Sequence, residues 1–190
     1  MKDVLKYLKG TIDSSLKYTN SFDVELTGYL DSDWSGNPDD RWSTTGYAFN
    51  IGSDNVSWRN KKRPTVALSS REAEYKSLCA TTCEVVWLRW VLQNVGEEQK
   101  HAIVIKFDNE SSIKLENNPF FHPRTKQVDA QFHFIRENIQ SKEFFIEYCN
   151  TCENFVDIFT KPLGKVKFEL FREMLGLEIN YFSIKGELTK

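Results

Sequence analysis

Cysteine is scarce, with four in 190 residues, so no disulfide scaffold holds this chain together. Cys149 and Cys152 have the spacing of half a zinc site, but no second Cys or His pair stands at a matching distance. The three histidines, His101, His122 and His133, are scattered, and reduced core thiols are expected. No charge of one sign dominates: 25 Lys and Arg face 27 Asp and Glu, for a net charge of −2. That excludes a strongly basic, histone-like protein. It does not exclude a nucleic-acid binder, because an acidic site can offset a basic face. No apolar run approaches the ~18 residues of a membrane helix. Met1-Lys2-Asp3-Val4-Leu5-Lys6-Tyr7 lacks the apolar stretch of a signal peptide, so secretion is not expected. Repeats and low-complexity segments are missing too. What is present, 40% hydrophobic and 14% aromatic residues, is enough for the core of one domain and rules out intrinsic disorder.

The order of elements follows from periodicity. Residues 1–9 read as a short helix stopped by Gly10. Phe22 to Leu30 alternates and reads as a strand ending at Asp31. Thr44 to Ile51 predicts a second strand, Gly52 to Asn55 a four-residue hairpin turn, and Val56 to Arg59 a third strand. Ser69-Ser70-Arg71-Glu72 resembles a capping box, opening a helix that runs to Val95 and stops at Gly96. Ala102 to Phe107 is a buried-strand run ending at Asp108. A short helix over 110–117, a helix over 128–140, a strand over 144–149 and interrupted helices from Asn154 to Gly176 complete the chain. Three strands joined by short turns form an antiparallel meander, and two more reached through helices add in parallel. The expected fold is α/β, a five-stranded mixed sheet with helices on both faces.

In such sheets sites form beyond the carboxyl ends of strands. Asp31 and Asp108 end two strands, and if these are neighbours their carboxylates lie side by side. Close unpaired carboxylates are unfavourable unless a cation lies between them, and hard oxygen donors suit Mg²⁺ or Mn²⁺. Glu74, early in the long helix, and Asp157, at the start of the last helical stretch, could join them. Four carboxylates around two metals about 3.5–4 Å apart is an arrangement for phosphodiester hydrolysis. Two choices stay open. Asp31 and Asp33 both qualify, and Asp31 is preferred because Asp33 lies further into the loop. Glu72 and Glu74 face about 200° apart on a helix. Glu74 shares its face with Leu78, Thr81 and Val85, whereas Glu72 suits the capping role.

The motifs now support a comparison. Gly28-Tyr29-Leu30-Asp31-Ser32-Asp33-Trp34-Ser35-Gly36 resembles the first-aspartate motif of the ribonuclease H domains of copia-type (Pseudoviridae) LTR retrotransposon Pol polyproteins. Val66-Ala67-Leu68-Ser69-Ser70-Arg71-Glu72-Ala73-Glu74-Tyr75 is similar to the family's glutamate motif, and Phe107-Asp108-Asn109-Glu110-Ser111 to its second-aspartate motif. Asp157-Ile158-Phe159-Thr160-Lys161-Pro162-Leu163 resembles its terminal motif. The resemblance runs over residues 4–177. It implies a ribonuclease H-like fold and an endonuclease that degrades the RNA strand of RNA/DNA hybrids during reverse transcription. Its catalytic and metal-binding set would be Asp31, Glu74, Asp108 and Asp157, with two Mg²⁺ or Mn²⁺ ions. It further implies a reverse-transcriptase neighbour in the parent polyprotein and a cytoplasmic (virus-like particle) or nuclear location. Residues 1–20 would then be the end of the upstream polymerase region, 21–177 the ribonuclease H domain and 178–190 a tail. One departure stands out. Cellular ribonucleases H often carry a histidine before the last aspartate, and here Asn150-Thr151-Cys152-Glu153-Asn154 has none.

A hybrid displays 2′-hydroxyls in a wide, shallow minor groove, and backbone contacts supply most of the affinity. The densest basic cluster, Arg59, Lys61, Lys62 and Arg63 beside Trp58, is a candidate phosphate contact placed after the third strand. Arg124 and Lys126 form a second patch, Lys161, Lys165 and Lys167 a third, and Asn109 could donate to a phosphate or 2′-hydroxyl. Trp34, Trp42, Trp87 and Trp90 read as core aromatics. A competing function is a catalytically weak or inactive module of the same fold that binds nucleic acid or protein. An integrase-type nuclease shares the fold but has three acids at different spacing.

Overall fold

The strands form because β-branched and aromatic residues alternate with polar ones. The helices form where the apolar period lengthens to three and four. The computed structural model describes residues 2–19, 24–33, 43–62, 70–108 and 126–179. In chain order the elements are α1 (Lys2–Thr11), β1 (Ser14–Leu16), β2 (Leu26–Asp33), β3 (Thr44–Ile51), β4 (Asp54–Lys62), α2 (Ser70–Asn94) and β5 (Ile103–Phe107). Then come α3 (Lys126–Gln140), β6 (Phe144–Tyr148), α4 (Asp157–Thr160), α5 (Lys165–Met174) and β7 (Leu177–Ile179). The predicted helix over 110–117 lies outside the described residues.

Strands β4, β3, β2, β5 and β6, in that spatial order, make one five-stranded sheet. β2–β3 and β3–β4 are antiparallel; β2–β5 and β5–β6 are parallel. This is the mixed sheet that the order of turns and helices predicts. The main core lies between α2, α3 and one face of the sheet, with Leu30, Phe49, Ile105 and Val85 fully buried. Each such side chain contributes about 1.5–3 kcal/mol by leaving water. Tyr75 of α2 and Phe132 of α3 pack with ring centroids 3.8 Å apart and planes tilted by 43°. A second, smaller core fills the other face, where Ala48 meets Phe155, Val156, Phe171 and Leu175 beside Tyr29.

Several boundaries differ from the sequence reading. β2 continues through Asp31 to Asp33, which pairs with Thr44. The hairpin turn is the tight pair Gly52-Ser53, with Gly52 at φ 58°, and Asp54 already belongs to β4. β4 runs on past Arg59 to Lys62, so Lys61 and Lys62 also sit on the strand and not beyond it. An edge strand tolerates such charges because its free side faces water. Trp87 and Trp90 are 52% and 61% exposed, not core. The buried stripe of α2 runs Leu78, Thr81, Val85, Leu88 and Leu92, and Trp87 is two residues, about 200°, out of phase with Val85.

A separate two-stranded ribbon joins distant parts of the chain. β1 pairs antiparallel with β7, Ser14 opposite Ile179 and Leu16 opposite Leu177. Lys17 donates its N–H to the Gly176 carbonyl at 2.9 Å, and its ammonium meets Glu178 at 2.8 Å.

Candidate active site

The parallel register of β2 and β5 pairs Leu30 with Phe107. The next residues along these neighbouring strands are Asp31 and Asp108. Asp157 is the first residue of α4. One carboxylate oxygen from each of Asp31, Asp108 and Asp157 lies within 4.8 Å of the others. Asp31 and Asp157 are almost wholly buried, at 2% and 1% exposure, and Asp108 is half-buried.

Several contacts hold Asp157 against β2. Asn154, fully buried, donates its Nδ2 to the Leu30 carbonyl at 2.9 Å, tying the turn before α4 to the residue before Asp31. Phe155 packs on Tyr29 with ring centroids 4.4 Å apart. Gly46, opposite Asp31 in the β2–β3 ladder, leaves room for α4: a methyl group there would stand 2.8 Å from Thr160 Cγ2 and 3.1 Å from Val156 Cγ1. The Thr160 hydroxyl donates to Asp31 Oδ2.

Two lysines complete the cluster. Lys161 Nζ lies 3.1 Å from Asp31 Oδ1 and 2.7 Å from Asp157 Oδ1. Lys167 Nζ lies 2.8 Å from Asp157 Oδ2. Among the described residues no lysine or arginine pairs with Asp108. Burial pushes the Asp31 carboxyl above its ordinary value; Lys161 and the Thr160 hydroxyl counter that, and the Asp157 charge adds to it. Burial opposes the Lys161 ammonium, yet Asp31 and Asp157 outweigh it and hold that lysine firmly protonated. Nearby, burial and then the Asp108 charge push the Cys149 thiol up to about 11.

The other described candidates are not members of this trio. Glu74 is buried on α2, on the stripe of Leu78, Thr81 and Val85, but is not a member of the compact group of three. α2 packs on the sheet face of Leu30 and Phe49, whereas Asp31, next in the alternation, turns to the face of α4. Asp33 closes β2 and Glu72 lies in the first turn of α2. Arg59, Lys61 and Lys62 are exposed, and strand alternation places Arg59 and Lys61 on one face with Lys62 on the other. Lys126 begins α3; Arg63, Asn109 and Arg124 lie outside the described residues. Sequence reasoning missed Asn154, Gly46 and the inward turn of Lys161 and Lys167. The i, i+4 spacing of Asp157 and Lys161 was the available signal.

A mixed sheet of this strand order, flanked by helices on both faces, is a ribonuclease H-like fold. LC11-RNase H1, solved in complex with an RNA/DNA hybrid, superposes with a TM-score of 0.52 at 10% identity, over 72% of this chain and 94% of that one. At that identity the likeness is one of fold. The retrovirus-related Pol polyprotein from transposon TNT 1-94 of Nicotiana tabacum is 39% identical over 180 residues, 95% of this chain. That from transposon RE2 of Arabidopsis thaliana is 37% identical over 177 residues, 93% of this chain. No protein-family model matches. The chain's homologues are thus copia-type retrotransposon Pol polyproteins, and it spans 13% and 12% of these two relatives' own lengths.

Proposed function

We propose that this segment is the ribonuclease H of its polyprotein, hydrolysing the RNA strand of RNA/DNA hybrids at a site that takes two divalent ions, Mg²⁺ or Mn²⁺. The observation that carries the reading is the trio Asp31, Asp108 and Asp157, with oxygens within 4.8 Å of one another, towards the carboxyl ends of adjacent parallel strands and at the start of α4. Hard carboxylate donors, two of them nearly dry, fit such ions. Asp31, Asp108 and Asp157 would hold them, with Glu74 contributing from α2. Bound divalent ions supply an activated water and neutralise charge on the leaving 3′ oxygen.

The protein's own residues orient and exclude. The Thr160 hydroxyl and the Asn154 amide fix Asp31 and its strand, and Phe155 and Val156 keep water from the buried side of Asp157. Arg59 and Lys61, side by side on one face of β4, suit consecutive phosphates, and Lys62, Arg63, Asn109, Arg124 and Lys126 complete the proposed substrate set. In this reading residues 1–20 belong to a preceding reverse-transcriptase region, 21–177 form the nuclease and 178–190 are a tail. The reverse transcriptase is the polyprotein partner, and work on the hybrid takes place in cytoplasmic particles or the nucleus. Among the described residues no helix is long and apolar enough to cross a membrane.

The test is cleavage of an end-labelled RNA/DNA hybrid with Mg²⁺ or Mn²⁺, beside RNA/RNA and DNA/DNA duplexes. Fragments of the RNA strand from the hybrid alone are expected. Failure to cut with either ion, by a folded protein that binds the hybrid, would refute the enzyme.

A further inference from the structure

Lys161 takes part in the acid cluster in a way the nuclease reading leaves unused. Its ammonium bridges one oxygen of Asp31 and one of Asp157, while Thr160 and Lys167 take the remaining oxygens of the same carboxylates. All four oxygens of the two driest acids therefore have protein partners. The lysine is also held at its backbone. Its N–H donates to the Asp157 carbonyl at 2.9 Å, closing α4, and its own backbone is extended at φ −126°, ψ 145°. The ammonium is thus clipped, through four residues, to the very acid it neutralises. The side chain is one-third exposed, so it has a path out to solvent.

We propose that Lys161 is a positioning residue acting as a built-in counter-cation: in the metal-free protein it holds Asp31 and Asp157 together, and a divalent ion must displace it from between them. This rests on the reading of the aspartates as a metal site. Without a cation, two buried carboxylates with oxygens within 4.8 Å would repel and splay or take up a proton. A single ammonium with directed N–H donors offsets that repulsion. A divalent ion does so more strongly and at shorter range, and it needs the same oxygens. Lys161 therefore both preserves the site before metal arrives and opposes metal entry. Once displaced, its charge stays tethered beside α4. A lysine that merely braced the fold would behave differently, since its loss would loosen the carboxylates and weaken metal binding.

The two roles separate in a titration of Mn²⁺ into the nucleic-acid-free protein, read by the paramagnetic resonance of free Mn²⁺, together with the thermal midpoint in chelator. K161M is expected to bind Mn²⁺ at least tenfold more tightly than the parent, about 1.4 kcal/mol, while its metal-free midpoint falls. K161R keeps the cation and should stay within threefold of the parent in affinity. K100M, an exposed lysine before β5, should match it in both measurements. If K161M does not fold, K161Q, which keeps N–H donors without charge, carries the same expectation. Affinity in K161M or K161Q equal to or weaker than that of a parent that binds Mn²⁺ and cleaves hybrid would overturn the counter-cation and leave the nuclease standing. A parent and variants that all fail to bind Mn²⁺ and to cleave would overturn both.

Discussion

Gly46→Ala tests whether the seat of α4 governs the site. The added methyl would lie 2.8 Å from Thr160 Cγ2, 3.1 Å from Val156 Cγ1 and 3.2 Å from Phe159 Cβ. Carbon atoms rest about 3.5–4.0 Å apart, so three neighbours on one short segment must retreat by roughly 0.5–1 Å. Overpacking of this size costs about 1–3 kcal/mol, and stiffening of the unfolded chain returns about 0.4–1 kcal/mol. The net loss is about 1–2 kcal/mol, a fall in thermal midpoint of about 2–8 °C for a domain of this size. The same retreat carries Asp157 and Thr160 away from Asp31. Mn²⁺ affinity should therefore drop by roughly tenfold, as when a residue supporting a metal ligand is lost. Gly28→Ala is the control, because its methyl would meet Phe49 Cε1 at 2.7 Å in the core on the other face. It should destabilise comparably and leave Mn²⁺ affinity within twofold. Differential scanning fluorimetry and Mn²⁺ titration read both variants. An unchanged midpoint and affinity in Gly46→Ala would refute the reasoning, and so would equal loss of metal binding in both.

Asp108→Asn should abolish cleavage of the hybrid and leave binding within a few-fold, measured by gel assay and fluorescence anisotropy; turnover comparable to the parent would remove Asp108 from the site. Neutralising Lys61, Lys62 and Arg63 together should weaken binding to all duplexes alike. The slope of log affinity against log salt should become shallower, by up to about 0.9 per lost contact at B-DNA charge density; an unchanged slope would make these residues a solvated face. Cys83 and Cys152 are exposed and should label with a maleimide at pH 8 within minutes. Cys149, buried and with its thiol held protonated up to about 11, should label only after unfolding. Mass spectrometry of timed samples counts the adducts, and early modification of Cys149 would contradict its burial.

The sheet was legible because its strands alternate cleanly and its turns carry glycine, so pairing followed from connection length. Asp31 and Asp108 were legible as acids near two strand ends, side by side if those strands were neighbours; the β2–β5 pairing makes them so, although β2 itself runs past Asp31 to Asp33. What did not show in the sequence depends on distances across the fold. Lys161 and Lys167 read as part of a surface basic patch, because a charge run is usually solvated. Only the seating of α4 and α5 turns them onto two buried aspartates. Asn154 read only as the start of the last helical stretch, although its amide reaches a carbonyl 124 positions away. Trp87 and Trp90 read as core from size alone, and helical phase sends them outward. The basic run from Arg59 to Lys62 read as one cluster, and strand geometry divides it between two faces.

The β1–β7 ribbon has a mechanical consequence. Ser14 faces Ile179 at one end of a short antiparallel ladder, and Leu16 faces Leu177 at the other. Tension applied at positions 14 and 179 therefore meets the rungs one after another, as a zipper does, and never loads them together in shear. Hydrogen bonds broken singly yield at low force, whereas the long five-stranded sheet lies downstream of the ladder and is not strained until it has opened. Because both strands leave from the same corner, flanking protein can be attached there without its two parts being driven apart. A pull on those flanks would undo the ribbon first and leave the aspartates in place.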